Sequence, residues 1–491
     1  MTSATSSIGT TPSLEIPRGR VDDSLWIDNE RQRASGERIV NVDDSASEEF
    51  IAGIRSASRS DVDRACASAR RAHREWASVG AEERVRIVRQ ATSILEAATG
   101  QLADVITSEV GTVVRDVTSV QVGLGLIALR VSADNALEAL EPHTLASSTV
   151  VREPAGVVVA ITPWNYPIFQ VVLKIAPALI AGCTVVLKPP GVAPLTAFAI
   201  AEAFAQAGLP AGVFNIVCGA GAEIGEYLAG HPEADFLSFT GSVAAGRAVA
   251  GAAATSGTRT ALELGGKSAA IVLDGHLLEQ ALRATFASSV SNTGQTCAAL
   301  SRFIVPRSLL GQAEALAATL VAAEVVGDPR TAETTIGPMS NSGQRDTVLR
   351  YLAEAETDSN VRTVAQGSIA GLDRGWFVPP AIFTAEDYRA RIVQEEIFGP
   401  VLTIQPFDDN AEAIFLANAT PFGLLARVWT DDAAIFETTA RELRVGGVIQ
   451  SGRPTAWDAP FGGVKASGYG RERGPFGIDE YLVLKSIQPT L

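Results

Sequence analysis

Between residues 156 and 240, short runs of β-branched and aliphatic residues at 157–161, 184–187, 213–217 and 236–239 alternate with alanine-rich segments. A strand with helices over both faces has no polar side, so apolar runs spaced by helical stretches predict parallel βαβ units. A second series begins at 269–273. It continues through 303–305, a helix over 309–323 and a strand over 445–449. Earlier, Val62, Ala65, Ala69, Trp76, Val85, Ile87, Val88, Ile94 and Leu95 recur at helical spacing among arginines and glutamates, which predicts two amphipathic helices over 61–98. The pattern describes an α/β protein of two successive layered units.

Two segments break that rhythm. Residues 141–152 are polar, carry Pro142 and alternate at 149–152, as a protruding hairpin would, and 480–487 reads as a further strand. Peripheral strands of this kind pair between subunits or simply end a sheet. The first twenty residues are rich in Ser and Thr and lack the basic start and apolar core of a signal peptide, so they are expected to be a disordered tail. The apolar stretch 171–187 is interrupted by Lys174 and Pro177, which favours a buried helix and strand over a membrane span.

Composition narrows the class. A chain of 491 residues with 46% apolar content holds about two to four domains with large cores. A net charge of -15, without a strong basic patch, disfavours nucleic acid and anionic membranes as partners. Four scattered cysteines, Cys66, Cys183, Cys218 and Cys297, fit a reducing, cytoplasmic compartment better than a disulfide framework. The four histidines are isolated and no metal-ligand spacing occurs, so no metal is expected.

The chemistry sits in short motifs. Asn292-Thr293-Gly294-Gln295-Thr296-Cys297 offers a thiol in a turn, and Glu263-Leu264-Gly265-Gly266-Lys267-Ser268 offers a carboxylate. Cys218-Gly219-Ala220-Gly221-Ala222-Glu223-Ile224-Gly225 follows a predicted strand and opens a helix, where glycines let backbone amides approach a phosphate; its G-x-G-x-x-x-G spacing is one residue longer than the usual dinucleotide fingerprint. Phe239-Thr240-Gly241-Ser242 repeats the arrangement at the next strand end, with Ser242 placed as a helix cap. Pro163-Trp164-Asn165-Tyr166-Pro167 is a rigid turn whose Asn165 could donate to an oxyanion or to its own backbone. Lys188-Pro189-Pro190 supplies a lysine that could meet ribose, phosphate or solvent. Two further clusters, 395–400 (EEIFGP) and 460–465 (PFGGVK), set aromatic rings beside glycines.

Taken together and in this order, these segments resemble the aldehyde dehydrogenase superfamily over about residues 26–487. The resemblance implies an α/β fold with a Rossmann-type cofactor domain (21–133 and 154–262), an α/β catalytic domain (263–465) and a β oligomerisation arm (134–153 and 466–491), assembled as a homodimer or homotetramer. It implies that Cys297 attacks an aldehyde, that the Asn165 amide and the Cys297 N–H hold the oxyanion, and that Glu263 activates water to hydrolyse a thioester. Lys174 and Glu472 match a proton relay. Lys188 matches the adenosine-ribose contact, Gly221, Gly225 and Ser242 the pyrophosphate contacts, and Glu396 and Phe398 flank the nicotinamide ribose. Thr162, Pro163, Trp164, Phe239, Thr240, Gly241 and Leu264 complete the cofactor set.

One position departs from the family. Gly191 stands where NAD-preferring members carry a glutamate that binds the ribose and repels a 2'-phosphate, so the cofactor is expected to be NAD, with NADP also open. By position Tyr166, Gln170, Leu173, Ser291, Thr296, Trp457 and Phe461 line the substrate tunnel. Their apolar or neutral character favours a hydrophobic aliphatic or aromatic aldehyde. A semialdehyde is the alternative, with Arg453 the candidate cation for its carboxylate. Acyl transfer to coenzyme A is disfavoured by Glu263, and a non-catalytic nicotinamide-binding or structural role by the presence of Cys297, Asn165 and Glu263 together.

Overall fold

A computed structural model describes residues 14–22, 24–219 and 221–488. The two predicted amphipathic helices are Arg59–Ser78 and Ala81–Ala97. The first starts at a capping box in which Ser58 accepts from the Asp61 N–H and the Asp61 carboxylate accepts from the Ser58 N–H. The first packs on an eight-stranded sheet, and the second packs on the helices Gly123–Asp134, Pro167–Ala181 and Leu195–Gln206; their Ala69, Trp76, Val88 and Leu95 are buried.

The centre of that sheet is five parallel strands in the order Arg259–Glu263, Phe236–Thr240, Val157–Ile161, Thr184–Lys188, Phe214–Ile216. The first three from Val157 to Ile216 advance in one direction across the sheet. The chain then crosses back to place Phe236–Thr240 on the other side of Val157–Ile161. Such a switch opens a crevice at the carboxyl ends of the two diverging strands, here between Ile161 and Thr240. The second sheet has seven strands, six of them parallel, ordered Val361–Gln366, Ala381–Ala385, Val401–Phe407, Leu300–Pro306, Ser268–Val272, Leu425–Trp429, Gly447–Gln450. The apolar stretch at 171–187 is the buried helix Pro167–Ala181 followed by the strand Thr184–Lys188. A longer apolar run, Val114–Asp134, would span a membrane by length and composition alone; its Val117, Val122, Leu126 and Leu129 are buried in the core.

A three-stranded antiparallel sheet joins His143–Thr144, Thr149–Pro154 and Leu482–Ile487. Two expectations need correction. The tail expected over 1–20 includes residues 1–13, which lie outside the described residues, but from Leu14 the chain is anchored: Leu14 is buried, the Glu15 N–H donates to Glu202, and Arg31 donates to the Glu15 carbonyl. The arm is also narrower than 466–491. Gly468–Tyr469 pairs with Leu262 and Glu263 at the edge of the eight-stranded sheet, so among the described residues of that segment Leu482–Ile487 alone joins the three-stranded sheet. Gly468 makes this pairing possible, since a Cβ there would lie 2.0 Å from the Leu262 carbonyl oxygen.

Candidate active site

The turn before Cys297 is held by three successive left-handed residues, Asn292 (φ 50°), Thr293 (φ 56°) and Gly294 (φ 73°). A side chain on Gly294 would have its Cβ 2.1 Å from the Gly399 backbone, so this position needs glycine on both grounds. Side chains fix the strained run. Thr112 Oγ1 donates to Asn292 Oδ1 at 2.8 Å, and Gln295 Nε2 donates to the Asn292 carbonyl at 3.0 Å while its Oε1 accepts from the Ser340 N–H at 2.9 Å.

Asn165 follows the Val157–Ile161 strand, and Pro167 starts the next helix at a position where its missing N–H is harmless. The buried Asn165 Nδ2 donates to the Gln295 carbonyl at 2.9 Å, which uses one of its two N–H donors and ties this turn to the cysteine turn. Its backbone carbonyl accepts from Gln121 Nε2 and from Asn292 Nδ2, each at 2.9 Å. The two motifs, 130 residues apart in sequence, are thereby one hydrogen-bonded unit.

Cys297 and Asn165 line a cavity of about 270 Å³ together with Pro163, Trp164, Gln170, Thr240, Gly241, Ser242, Leu264, Glu396 and Phe398. Burial pushes the Cys297 thiol up to about 12, with the Glu396 and Glu263 carboxylates adding to the shift. Glu263, at the end of its strand, is buried, and neither carboxylate oxygen has a hydrogen-bond partner among the described residues. Burial, and then the charge of Glu472, raise its pKa well above the usual carboxylate range; Lys174 and Arg471 act against this. Lys174 Nζ lies 2.9 Å from Glu472 Oε1 and donates to Ser238 Oγ at 3.2 Å, so a buried ion pair stands beside Glu263.

Several of the residues expected to hold the cofactor stand at the carboxyl ends of the strands that border this crevice. The side-chain hydroxyls of Thr162 and Thr240, on either side of the switch, are buried without a partner among the described residues, as expected of groups that await a polar ligand. Lys188 is buried at its strand end, its Nζ donating among the described residues only to the Pro189 carbonyl at 3.3 Å, and its stem lies against Gly225 where a Cβ would be 3.8 Å away. Burial lowers its pKa. Ser242 caps the helix Val243–Ser256 by accepting from the Ala245 N–H. Glu396 accepts from the Gly266 N–H at 2.9 Å, and Trp164 meets Phe398 edge-on at 5.5 Å between centroids. These residues fit a dinucleotide. Among the described residues no group of three or more His, Cys, Asp or Glu side chains is arranged to hold a metal.

The aldehyde dehydrogenase family description matches residues 31–487. The chain belongs to the aldehyde dehydrogenase family. It is similar to 3-succinoylsemialdehyde-pyridine dehydrogenase of a Pseudomonas species, 40% identical over 465 residues, covering 94% of this chain and 98% of the relative. Geranial dehydrogenase of Castellaniella defragrans is 39% identical, covering 91% of this chain and 94% of that protein. Among solved structures, a cysteine-to-alanine mutant of Pseudomonas syringae aldehyde dehydrogenase C, complexed with NAD+ and octanal, superposes with a TM-score of 0.93 at 37% identity, covering 97% of this chain and 98% of that one.

Within this aldehyde dehydrogenase fold the residues expected to line a substrate tunnel are spread over several cavities and the core. Gln170 shares the Cys297 cavity, while Tyr166 bonds Thr296 Oγ1 at 2.7 Å and stacks edge-on with Phe169. Ser291 lines a separate cavity of about 390 Å³ with Val120 and Phe286, and Phe461 lines another of about 440 Å³ with Arg453. Leu173 is buried in the core. Residues that sequence reasoning missed include Gln121 and also Gln344, whose Nε2 donates to the carbonyls of Ile397 and Phe398 beneath the cavity. Neither glutamine stands in a motif.

Proposed function

We propose that the chain oxidises a hydrophobic aldehyde to the carboxylic acid with NAD+, and that the residue roles are those the resemblance implies. The carrying observation is the meeting of Cys297, Asn165 and the cofactor-edge residues on one cavity. The Cys297 sulfur forms the C–S bond as its proton passes to a base; the free N–H of Asn165 and the Cys297 N–H stabilise the oxyanion. Bound NAD+ supplies the acceptor for the hydride that leaves the adduct carbon. Glu263 then takes a proton from water as the hydroxyl attacks the thioester, and the Cys297 sulfur departs. A carboxylate whose burial raises its pKa is a better proton acceptor near neutral pH than an ordinary one. Lys174 and Glu472 hold the charge around it and offer a path for the proton.

The aldehyde and nicotinamide named for the Pseudomonas syringae neighbour, octanal and NAD+, support the hydrophobic reading and the cofactor. Gly191, with only Val40 close to it, places no carboxylate three residues beyond Lys188, so NADP is the second cofactor to test. We place the enzyme in the cytoplasm as a homodimer or homotetramer. The exposed Leu484 and Ile487 on the arm strand Leu482–Ile487 and the edge strand Gly447–Gln450 of the seven-stranded sheet support assembly. We read 21–133 with 154–262 as the cofactor domain and 263–465 as the catalytic domain, a reading supported by the two separate sheets although Glu263 and Gly468–Tyr469 join the first of them.

The deciding experiment is stopped-flow NADH formation with octanal and with benzaldehyde. The wild type should turn over, Cys297→Ser should be silent, and Glu263→Gln should give a burst of NADH and then stall. Steady turnover by Glu263→Gln at the wild-type rate would remove Glu263 as the base.

A further inference from the structure

We propose that Arg473 determines substrate specificity by receiving a carboxylate carried at the far end of the hydrophobic aldehyde, a conclusion that rests on the dehydrogenase reading above and narrows its substrate to one with an apolar body and a charged tail. The Arg473 guanidinium is boxed by three aromatic rings, 4.4 Å from the centroid of Phe461, 4.6 Å from that of Trp457 and 5.5 Å from that of Phe169. It borders the cavity of about 440 Å³ that Phe461 also lines, and Arg453 stands exposed on the same cavity. Among the described residues the side chain has no hydrogen bond or ion pair, and its Nε is buried without a partner.

This cation borders a different cavity from the nucleophile, yet its charge opposes the upward shift of the Cys297 thiol, and a chain of ring contacts joins the two. Phe169 meets Trp457 edge-on at 6.1 Å and Tyr166 at 6.3 Å, and Tyr166 bonds the hydroxyl of Thr296, the residue before Cys297. Among the described residues no carboxylate forms an ion pair with it, and Glu472 is paired instead with Lys174. Burial lowers the Arg473 pKa while Glu472, Cys297 and Glu263 pull it back up, and a guanidinium keeps its charge under such shifts.

The backbone holds the residue there. Phe461 and Glu472 exchange both backbone hydrogen bonds, at 2.8 and 2.7 Å, which clamps the 453–462 loop onto the chain just before Arg473. Arg473 itself has φ 72° and ψ 158°, a conformation that only glycine adopts freely. A charged, unpartnered, aromatic-walled guanidinium beside an open cavity suits an aldehyde with an apolar or aromatic middle and a terminal carboxylate. The rings take the middle, and the fork of N–H donors takes the carboxylate.

The test compares kcat/KM for 4-carboxybenzaldehyde and 4-methylbenzaldehyde in the wild type, Arg473→Met and Arg473→Lys. The carboxylate preference, expressed as the ratio of the two, should fall about 10- to 100-fold in Arg473→Met, mainly through KM, and recover in part in Arg473→Lys. An unchanged ratio overturns the proposal. If Arg473→Met does not fold, inhibition of the wild type by terephthalate and by 4-methylbenzoate decides: at least about tenfold tighter inhibition by terephthalate supports a distal carboxylate site, and equal inhibition overturns it. Oxidation of neither aldehyde class by the wild type would instead overturn the underlying dehydrogenase reading and this proposal with it.

Discussion

Lys174 and Glu472, 298 residues apart, form an ion pair of 2.9 Å in which Lys174 is 1% exposed. Removing one member of a buried pair strands the other charge, at a cost of about 3–5 kcal/mol. Lys174→Met should lower unfolding stability by about that much in urea titrations, and it should raise the pKa of Glu263 further, because the cation that opposes the shift is gone. The alkaline rise in kcat should then move to higher pH. A pH profile that does not move would separate Lys174 from the base.

Asn165→Ala tests the oxyanion donor. The loss of one such donor lowers kcat by about 100- to 1000-fold. KM should change far less. Because the same amide donates to Gln295, circular dichroism and Tm of the variant must accompany the kinetics.

The cysteine turn gives a steric prediction. Gly294→Ala would set a Cβ 2.1 Å from the Gly399 backbone at φ 73°, so the turn must shift. A displacement of about 1 Å at the nucleophile costs about 100-fold in rate. Activity should fall by that order even in the fraction that folds, which titration of active sites by the NADH burst would measure.

Glu109 sits outside the site and predicts a pH dependence of stability. It is buried, with one oxygen accepting from the Leu195 N–H and the other without a partner, and burial raises its pKa from 4.5 to about 8. The folded protein thus keeps a proton that the unfolded chain releases. Its stabilisation is complete below about 4.5 and is lost as pH rises toward about 8, at about 1.4 kcal/mol per pH unit. Glu109→Gln should flatten this slope in denaturant titrations at successive pH values; an unaltered slope would assign it to other groups.

Much of the scaffold was legible because it is local. The buried parallel strands announce themselves as apolar β-branched runs, and Arg59–Ser78 carries both its cap and its apolar stripe in one stretch of sequence. The motifs that flank Cys297, Asn165 and the cofactor edge were legible for the same reason. What escaped depends on distant partners. Trp26 joins the eight-stranded sheet opposite Ile216, Gly468–Tyr469 joins it beside Leu262, and Gln121 bridges two turns through side-chain bonds that no neighbouring residue foreshadows. Arg473 escaped because its meaning lies in three rings, from Phe169, Trp457 and Phe461, drawn from separate segments. The exposed Arg453 was the more obvious cation in sequence.

The burial that raises the Cys297 thiol to about 12 has a consequence beyond turnover. Alkylating agents and peroxide attack the thiolate, so a sulfur that retains its proton is a poor target for both. At pH 7 iodoacetamide should label Cys297 in the ligand-free protein about a hundredfold more slowly than free cysteine, the lower thiolate fraction outweighing the higher intrinsic nucleophilicity. Labelling as fast as free cysteine would contradict this. Slow labelling would mean that the packing that keeps the nucleophile at rest also spares an idle molecule oxidative damage.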